Sequence, residues 1–141
     1  MRIIGLDVGE VRIGVALSDP NQTTAFPHTV IDRSNDAAAI AAIARLAIDQ
    51  EAGMIVYGQP MSLGGSLGPQ AAATEDFISR LRVSIDIPLY PQDERLTSTQ
   101  ARRVLIAQGV KRGKRREIID KMAAAIILQS YLDGANDEHK R

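Results

Sequence analysis

Cysteine is absent from the 141 residues, which excludes disulfides, thiolate metal sites and cysteine nucleophiles together. Histidine is scarce: His28 and His139 stand far apart, without the paired spacing of a metal motif. Any bound metal must then be held by oxygen, which favours a hard cation such as Mg²⁺ or Mn²⁺. A long apolar run is also missing. The longest, Met122 to Leu128, falls well short of the ~20 residues a membrane-spanning helix needs, so no membrane partner is expected. The N-terminus carries no signal-peptide pattern, because Arg2 leads directly into a strand charged at Asp7, and the expected location is cytoplasmic. Net charge is likewise lacking, at +0, so binding to a polyanion can be argued only from where charge is concentrated. What is there is a hydrophobic fraction of 45% and a charged fraction of 24%, the balance of a folded globular chain. One domain is expected over residues 1–141, with 135–141 as a frayed tail.

Hydrophobic patterning orders the chain. Residues 2 to 8 read as a buried strand and 11 to 18 as a second, joined by a short turn at Gly9-Glu10 in the manner of a hairpin. Thr29-Val30-Ile31 extends the hairpin to a three-strand antiparallel meander. From Asp36 to Glu51 the spacing of Ile40, Ile43, Ala44, Ala47 and Ile48 predicts a helix capped by Ser34 or Asn35 and ended by Gly53. Met54 to Tyr57 reads as a central parallel strand. A glycine-rich loop spans Gly58 to Gly68, and a helix follows from Pro69 to about Arg82. Ile87 to Tyr90 is a further strand, placed at an edge or a strand start by Pro88. Thr97 with Gln100 predicts a capping box and a helix stopping at Gly109. The last helix is expected over Glu117 to Asp133, closed by Gly134. A meander extended by parallel crossovers gives an α/β fold: a mixed five-stranded sheet with helices on both faces.

Acids stand out against this frame. Asp7 lies in an apolar strand, where a carboxylate without compensation costs several kcal/mol unless it finds a partner or a cation. Hydrogen bonds from the Gly9 or Glu10 amides would also satisfy it. Asp93 and Glu94 follow the strand 87–90, at the carboxyl edge where open α/β sheets build sites. If the strand persists, alternation puts the two on opposite faces; a solvated loop before Thr97 is the competing reading. Asp120 sits in the first turn of the last helix beside the apolar stripe Ile119, Met122, Ala123, Ile126 and Ile127. Compensation of the helix dipole would explain an acid there equally well, and explains Glu117 better. Brought together, three such acids would hold two divalent ions ~3.5–4 Å apart, the arrangement for in-line attack of water on a phosphodiester.

Two further segments suggest phosphate. The loop Gly58 to Gly68 holds four glycines and can offer amides at a helix start, although no Gly-Lys-Ser/Thr follows as in a P-loop. Lys111-Arg112-Gly113-Lys114-Arg115-Arg116 concentrates positive charge, as a phosphodiester clamp or as a solvated loop.

Four ordered blocks then carry a resemblance. They are Gly5-Leu6-Asp7-Val8-Gly9 with Arg12-Ile13-Gly14-Val15-Ala16, Gly58-x-Pro60 with Gly65 and Gly68, Asp93-Glu94-Arg95-Leu96-Thr97, and Asp120 with Ala123-Ala124 and Ile127-Leu128-Gln129. Over nearly the whole chain they resemble the YqgF (RuvX) family of small bacterial nucleases related to the RuvC Holliday junction resolvases. Gln59 departs from similar sequences, which usually carry an apolar residue there. The resemblance implies a ribonuclease H-like fold, Mg²⁺- or Mn²⁺-dependent nuclease chemistry, and maturation of the 5′ end of the 16S ribosomal RNA precursor, free or in a ribosomal subunit precursor. It implies Asp7, Glu94 and Asp120 as catalytic metal ligands, with Asp93 as a further candidate. Arg12, Arg95, Lys111, Arg112, Lys114, Arg115 and Arg116 are the expected nucleic-acid contacts. Resolution of branched DNA and a noncatalytic nucleic-acid-binding module are the alternatives. Asp7-Val8-Gly9 before a hairpin also resembles the phosphate turn of actin-like ATPases, but those enzymes close two such domains around a nucleotide and this chain has the length of one.

Overall fold

The computed structural model describes residues 1–61, 69–95 and 115–139. Its elements are β1 (Arg2–Val8), β2 (Arg12–Ser18), β3 (Ala25–Asp32), α1 (Asp36–Asp49), β4 (Ala52–Met61), α2 (Pro69–Ser84), β5 (Leu89–Arg95) and α3 (Arg115–His139). The five strands form one sheet in the order β3-β2-β1-β4-β5. Pairings β1/β2 and β2/β3 are antiparallel, and β1/β4 and β4/β5 are parallel. The expected meander with parallel crossovers is therefore the observed topology.

Alternation along β1 divides the core. Ile4, Leu6 and Val8 face one way and join Ile13, Val15, Leu17, Ile55 and Tyr57 against α1 and α2, through Ile43, Phe77, Ile78 and Leu81. Ile3, Ala16 and Val56 face the other way, against Ala124, Ile127, Leu128 and Leu132 of α3. Helices thus cover both faces, as expected of a sheet whose central strands are apolar on each side. Helix α3 approaches closely because the sheet is bare beneath it: a Cβ on Gly5 would come within 2.7 Å of Leu128 Cβ, and one on Gly14 would collide with the Asp120 carbonyl oxygen.

Several boundaries differ from the sequence reading. Helix α1 ends at Asp49, not at Gly53, because Glu51 itself takes a left-handed φ of 53° and Gly53 is already in β4. Asn35, not Ser34, is the cap, accepting the Ala38 amide at 3.1 Å. Ile48 was expected in the buried stripe but is 76% exposed, since Ala39, Ile40, Ile43 and Ala47 turn inward with Leu46 partly buried beside them. Strand β3 covers Ala25–Asp32, longer than Thr29-Val30-Ile31, because its whole length pairs with β2. Strand β4 runs on through Gly58, Gln59 and Pro60 to Met61, residues assigned above to a loop, because β5 extends beside them. Gln59 thereby gains a strand position and donates to Glu75 Oε1 in α2, which also accepts from the Tyr57 hydroxyl at 2.8 Å. Burial, followed by that contact with Glu75, pushes the Tyr57 hydroxyl up to about 12.

Strand β5 begins at Leu89 and lasts to Arg95, so Asp93 and Glu94 are in the strand and not in a loop after it. Pro91 is tolerated there because β5 is an edge strand and needs ladder partners on one side only. Helix α3 starts at Arg115 and passes Gly134 to reach His139. Gly134 has open space around it, and its cost of roughly 1 kcal/mol against alanine is small beside the packing of the turns before it. The expected helix from Thr97 to Gly109, most of the glycine-rich loop, and Lys111, Arg112 and Lys114 lie outside the described residues. No helix among the described residues is long and apolar enough to cross a membrane.

The β2–β3 connection is held by one carboxylate. Asp19 accepts the Thr23 and Thr24 amides at 2.7 and 2.8 Å and the Thr23 hydroxyl at 2.9 Å. The amides, Thr24 foremost, hold its carboxyl down at about 2 against an ordinary 3.8. The ionised group therefore favours the folded loop above pH 3.8, and this contribution disappears as pH falls from about 4 to about 2. Amide resonances of Thr23 and Thr24, followed by NMR, should titrate in that window, and Asp19→Ala should remove the transition.

Candidate metal and nucleic-acid site

Asp7 occupies the next-to-last position of β1 and is partly buried. It pairs across the ladder with Gly14 of β2. By alternation it shares a face with Ile3 and Gly5, which is the α3 face. Gly14 has no side chain, and the backbone of α3 at Asp120 lies directly over it. Asp7 and Asp120, distant in sequence, are thus brought to the same face and the same end of the sheet.

Asp120 lies in the second turn of α3, because the helix begins at Arg115 and not at Glu117. Glu117 is the acid of the first turn, where the dipole acts most strongly. Dipole compensation therefore accounts for Glu117 and leaves Asp120 to another role. Asp120 Oδ2 accepts from Arg12 Nε at 2.8 Å, with the two side chains 16% and 30% exposed. This ion pair was not expected from the sequence, where Arg12 figured only as a contact for nucleic acid.

Backbone register separates Asp93 from Glu94. Val56 faces α3, and in the parallel ladder Val56 pairs with Tyr90, Gly58 with Gln92 and Pro60 with Glu94. Position 94 therefore belongs to the α3 face with Asp7 and Asp120. Position 93, paired with Gln59, belongs to the face of α2. Position 95 shares the face of 93. Arg115 and Arg116 form the start of α3, at the end of the helix nearest Asp120. His28 is exposed on β3, at the far edge of the sheet.

The turn after Asp7 is braced by a residue the sequence reading missed. Gly9 donates its amide to the Arg12 carbonyl at 3.0 Å, so that amide is committed within the turn and not to Asp7. Arg33 donates from Nη1 to the Gly9 carbonyl at 2.8 Å, and its own amide donates to the Val11 carbonyl at 2.8 Å. Its guanidinium lies 4.7 Å from the centroid of the buried Phe77 ring. It also pairs with Asp36 at 2.9 Å, and that hydrogen bond holds the Asp36 carboxyl below its ordinary range. No sequence motif flags Arg33, because its partners come from the β1–β2 turn, α1 and α2. Arg33→Ala should cost about 2 kcal/mol or more, from charge-assisted hydrogen bonds to the Gly9 carbonyl and to Asp36 and one cation–π contact. Urea denaturation of the two proteins measures it.

The donor set suits a hard cation. Asp7, Asp120 and the residue at position 94 offer carboxylate oxygen alone. Among the described residues no three acids or histidines form a completed cluster.

Comparison with known proteins decides the family. A family model described as "RuvX: Holliday junction resolvase" matches residues 1–134. The chain belongs to the RuvX family. A relative from Thermoanaerobacter pseudethanolicus, named "Putative pre-16S rRNA nuclease", is 44% identical over 139 residues, covering 98% of this chain and all of that one. Another of that name, from Halothermothrix orenii, is 47% identical and covers 99% of both chains. RuvX likeness extends to solved structures in fold alone. T. thermophilus RuvC in complex with a Holliday junction substrate aligns with a TM-score of 0.55 at 12% identity, over 96% of this chain and 95% of that chain. The Fowlpox virus resolvase bound to junction DNA aligns at 0.56 and 12%, over 96% and 99%. The ribonuclease H-like fold expected from the sequence is thus the fold observed.

Proposed function

We propose that this RuvX protein is a metal-dependent nuclease that hydrolyses phosphodiester bonds in the 16S ribosomal RNA precursor, at its 5′ end, in the cytoplasm. The observation that carries the proposal is the placement of two acids on one sheet face, Asp7 paired with Gly14 and the α3 backbone at Asp120 lying over that glycine. Asp7, Glu94 and Asp120 are the ligands we assign. Asp93 is left out because its register position belongs to the opposite face. Bound Mg²⁺ or Mn²⁺ would supply activation of water and neutralisation of the developing phosphate charge. The chain's own work is positional. Packing of α3 on bare glycines keeps Asp120 against the sheet, and the Arg33 brace keeps the Asp7 turn in place. Arg12 and the basic segment from Lys111 to Arg116 supply positive charge for the phosphodiester backbone.

RNA is favoured over branched DNA by the relatives above 40% identity, whose names specify pre-16S rRNA. The junction-bound neighbours are 12% identical and share the fold only. The test is cleavage, in Mg²⁺ and Mn²⁺, of a precursor-rRNA leader and a four-way DNA junction by wild type and Asp7→Asn. Cleavage of the leader that is lost in the variant supports the proposal. Cleavage of the junction alone makes the protein a resolvase. Tight binding of RNA without cleavage, and without saturable metal binding, makes it a binding module.

A further inference from the structure

The Arg12–Asp120 ion pair poses a conflict. Asp120 is the ligand assigned above, yet one of its oxygens already accepts from a guanidinium at 2.8 Å. The two charges form an ion pair, with both side chains more than half buried. The guanidinium cannot resolve the conflict by losing a proton, because arginine stays charged at any working pH. A divalent cation on the same carboxylate would meet a positive charge within a few ångströms. If one of the two yields, the structure indicates which. Asp120 is carried by a helix whose backbone is pressed against Gly14 and Gly5, so it has little freedom to withdraw. Arg12 sits at the first position of β2, beside the turn, with its side chain 30% exposed and a long flexible stem.

We propose that Arg12 serves two anions in turn. Without metal it neutralises Asp120; once Asp120 binds a divalent cation, Arg12 swings to a phosphodiester oxygen of the nucleic acid. This rests on the reading of Asp120 as a metal ligand. The exchange lets the site keep its charge balanced in both states. It also makes metal binding a precondition for one phosphate contact, which couples cation and substrate. A guanidinium fits the second task because its fork matches phosphate geometry. A fixed brace, by contrast, would hold Asp120 in place for the metal and would never contact substrate.

The two roles predict opposite signs. Titration calorimetry of the full chain with Mn²⁺ should show Arg12→Gln binding roughly tenfold tighter than wild type, since the competitor for Asp120 is gone. Arg12→Lys, which keeps the charge, should stay near wild type and guards against an effect of misfolding. The slope of log affinity against log salt for an RNA leader provides the second readout. Without metal, Arg12→Gln and wild type should share one slope; in Ca²⁺ the variant's slope should be shallower by about 0.7–0.9, the loss of one phosphate contact. Weaker or unchanged Mn²⁺ binding in Arg12→Gln overturns the proposal, as does a slope reduced equally with and without metal. Asp120→Asn separates the underlying assignment: if it binds Mn²⁺ as wild type does, Asp120 is no ligand, whatever Arg12→Gln shows.

Discussion

Gly14→Ala should unseat α3 and cost both stability and activity. A methyl group at position 14 would project into the Asp120 carbonyl, a backbone atom that no side-chain rotation can move aside. The strand cannot retreat either, because Ile13 and Val15 on its other side are fully buried. The helix must therefore lift. Overpacking of this kind typically costs 1–3 kcal/mol, and here the upper end, about 3 kcal/mol, is expected because the clash is with backbone. Lifting α3 also carries Asp120 away from Asp7. A misplacement of ~1 Å at a reacting centre can cost ~100-fold in rate, so nuclease activity should fall further than stability alone explains. Thermal unfolding together with cleavage rates measured well below the melting transition separates the two effects. Alanine at Gly134 is the control: nothing lies within 4 Å of that position, and the substitution should leave activity unchanged and raise helix stability slightly.

Asp7→Asn should abolish cleavage while preserving the fold. Asparagine is nearly isosteric with aspartate, so the ladder with Gly14 and the packing of β1 have no steric reason to change. What is lost is an anionic oxygen. Even an outer-shell partner of a metal ligand is typically worth ~10–100-fold in metal affinity or activity, and removal of a ligand itself should exceed that range. The expected result is a cleavage rate lowered more than about a hundredfold with a circular dichroism spectrum matching wild type. Retained cleavage would remove Asp7 from the mechanism. A lost spectrum would mean that its charge is structural.

The outline of this fold was legible because short-range patterns carry it. Apolar strands, an alanine-rich helix and a run of glycines appear in order, and local propensity agrees with the final topology. Ends were read less well. The apolar run at 87–90 marks only the start of strand β5, which continues through Pro91 to Arg95 because an edge position makes proline acceptable. Gly134 reads in the sequence as a stop, yet the helix runs through it to His139.

The candidate site shows the same division. Asp7 was conspicuous in the sequence as a charge in an apolar strand, and resemblance singled out Glu94 and Asp120. The choice between Asp93 and Glu94 needed the register of β5 on β4, which assigns 94 and not 93 to the face of Asp7. Gly14 stands in the sequence only as part of a motif block, and the structure adds that it is where the α3 backbone at Asp120 seats on the sheet. The contact of Arg33 with the Asp7 turn and the pairing of Arg12 with Asp120 carry no sequence signal, since these partners are 24 and 108 residues away. By itself the sequence determined which segments are apolar, which residue types can hold a hard cation, and what family they belong to. Only the tertiary structure decided which of those residues meet, because strand register and helix seating arise from packing between segments remote in the chain.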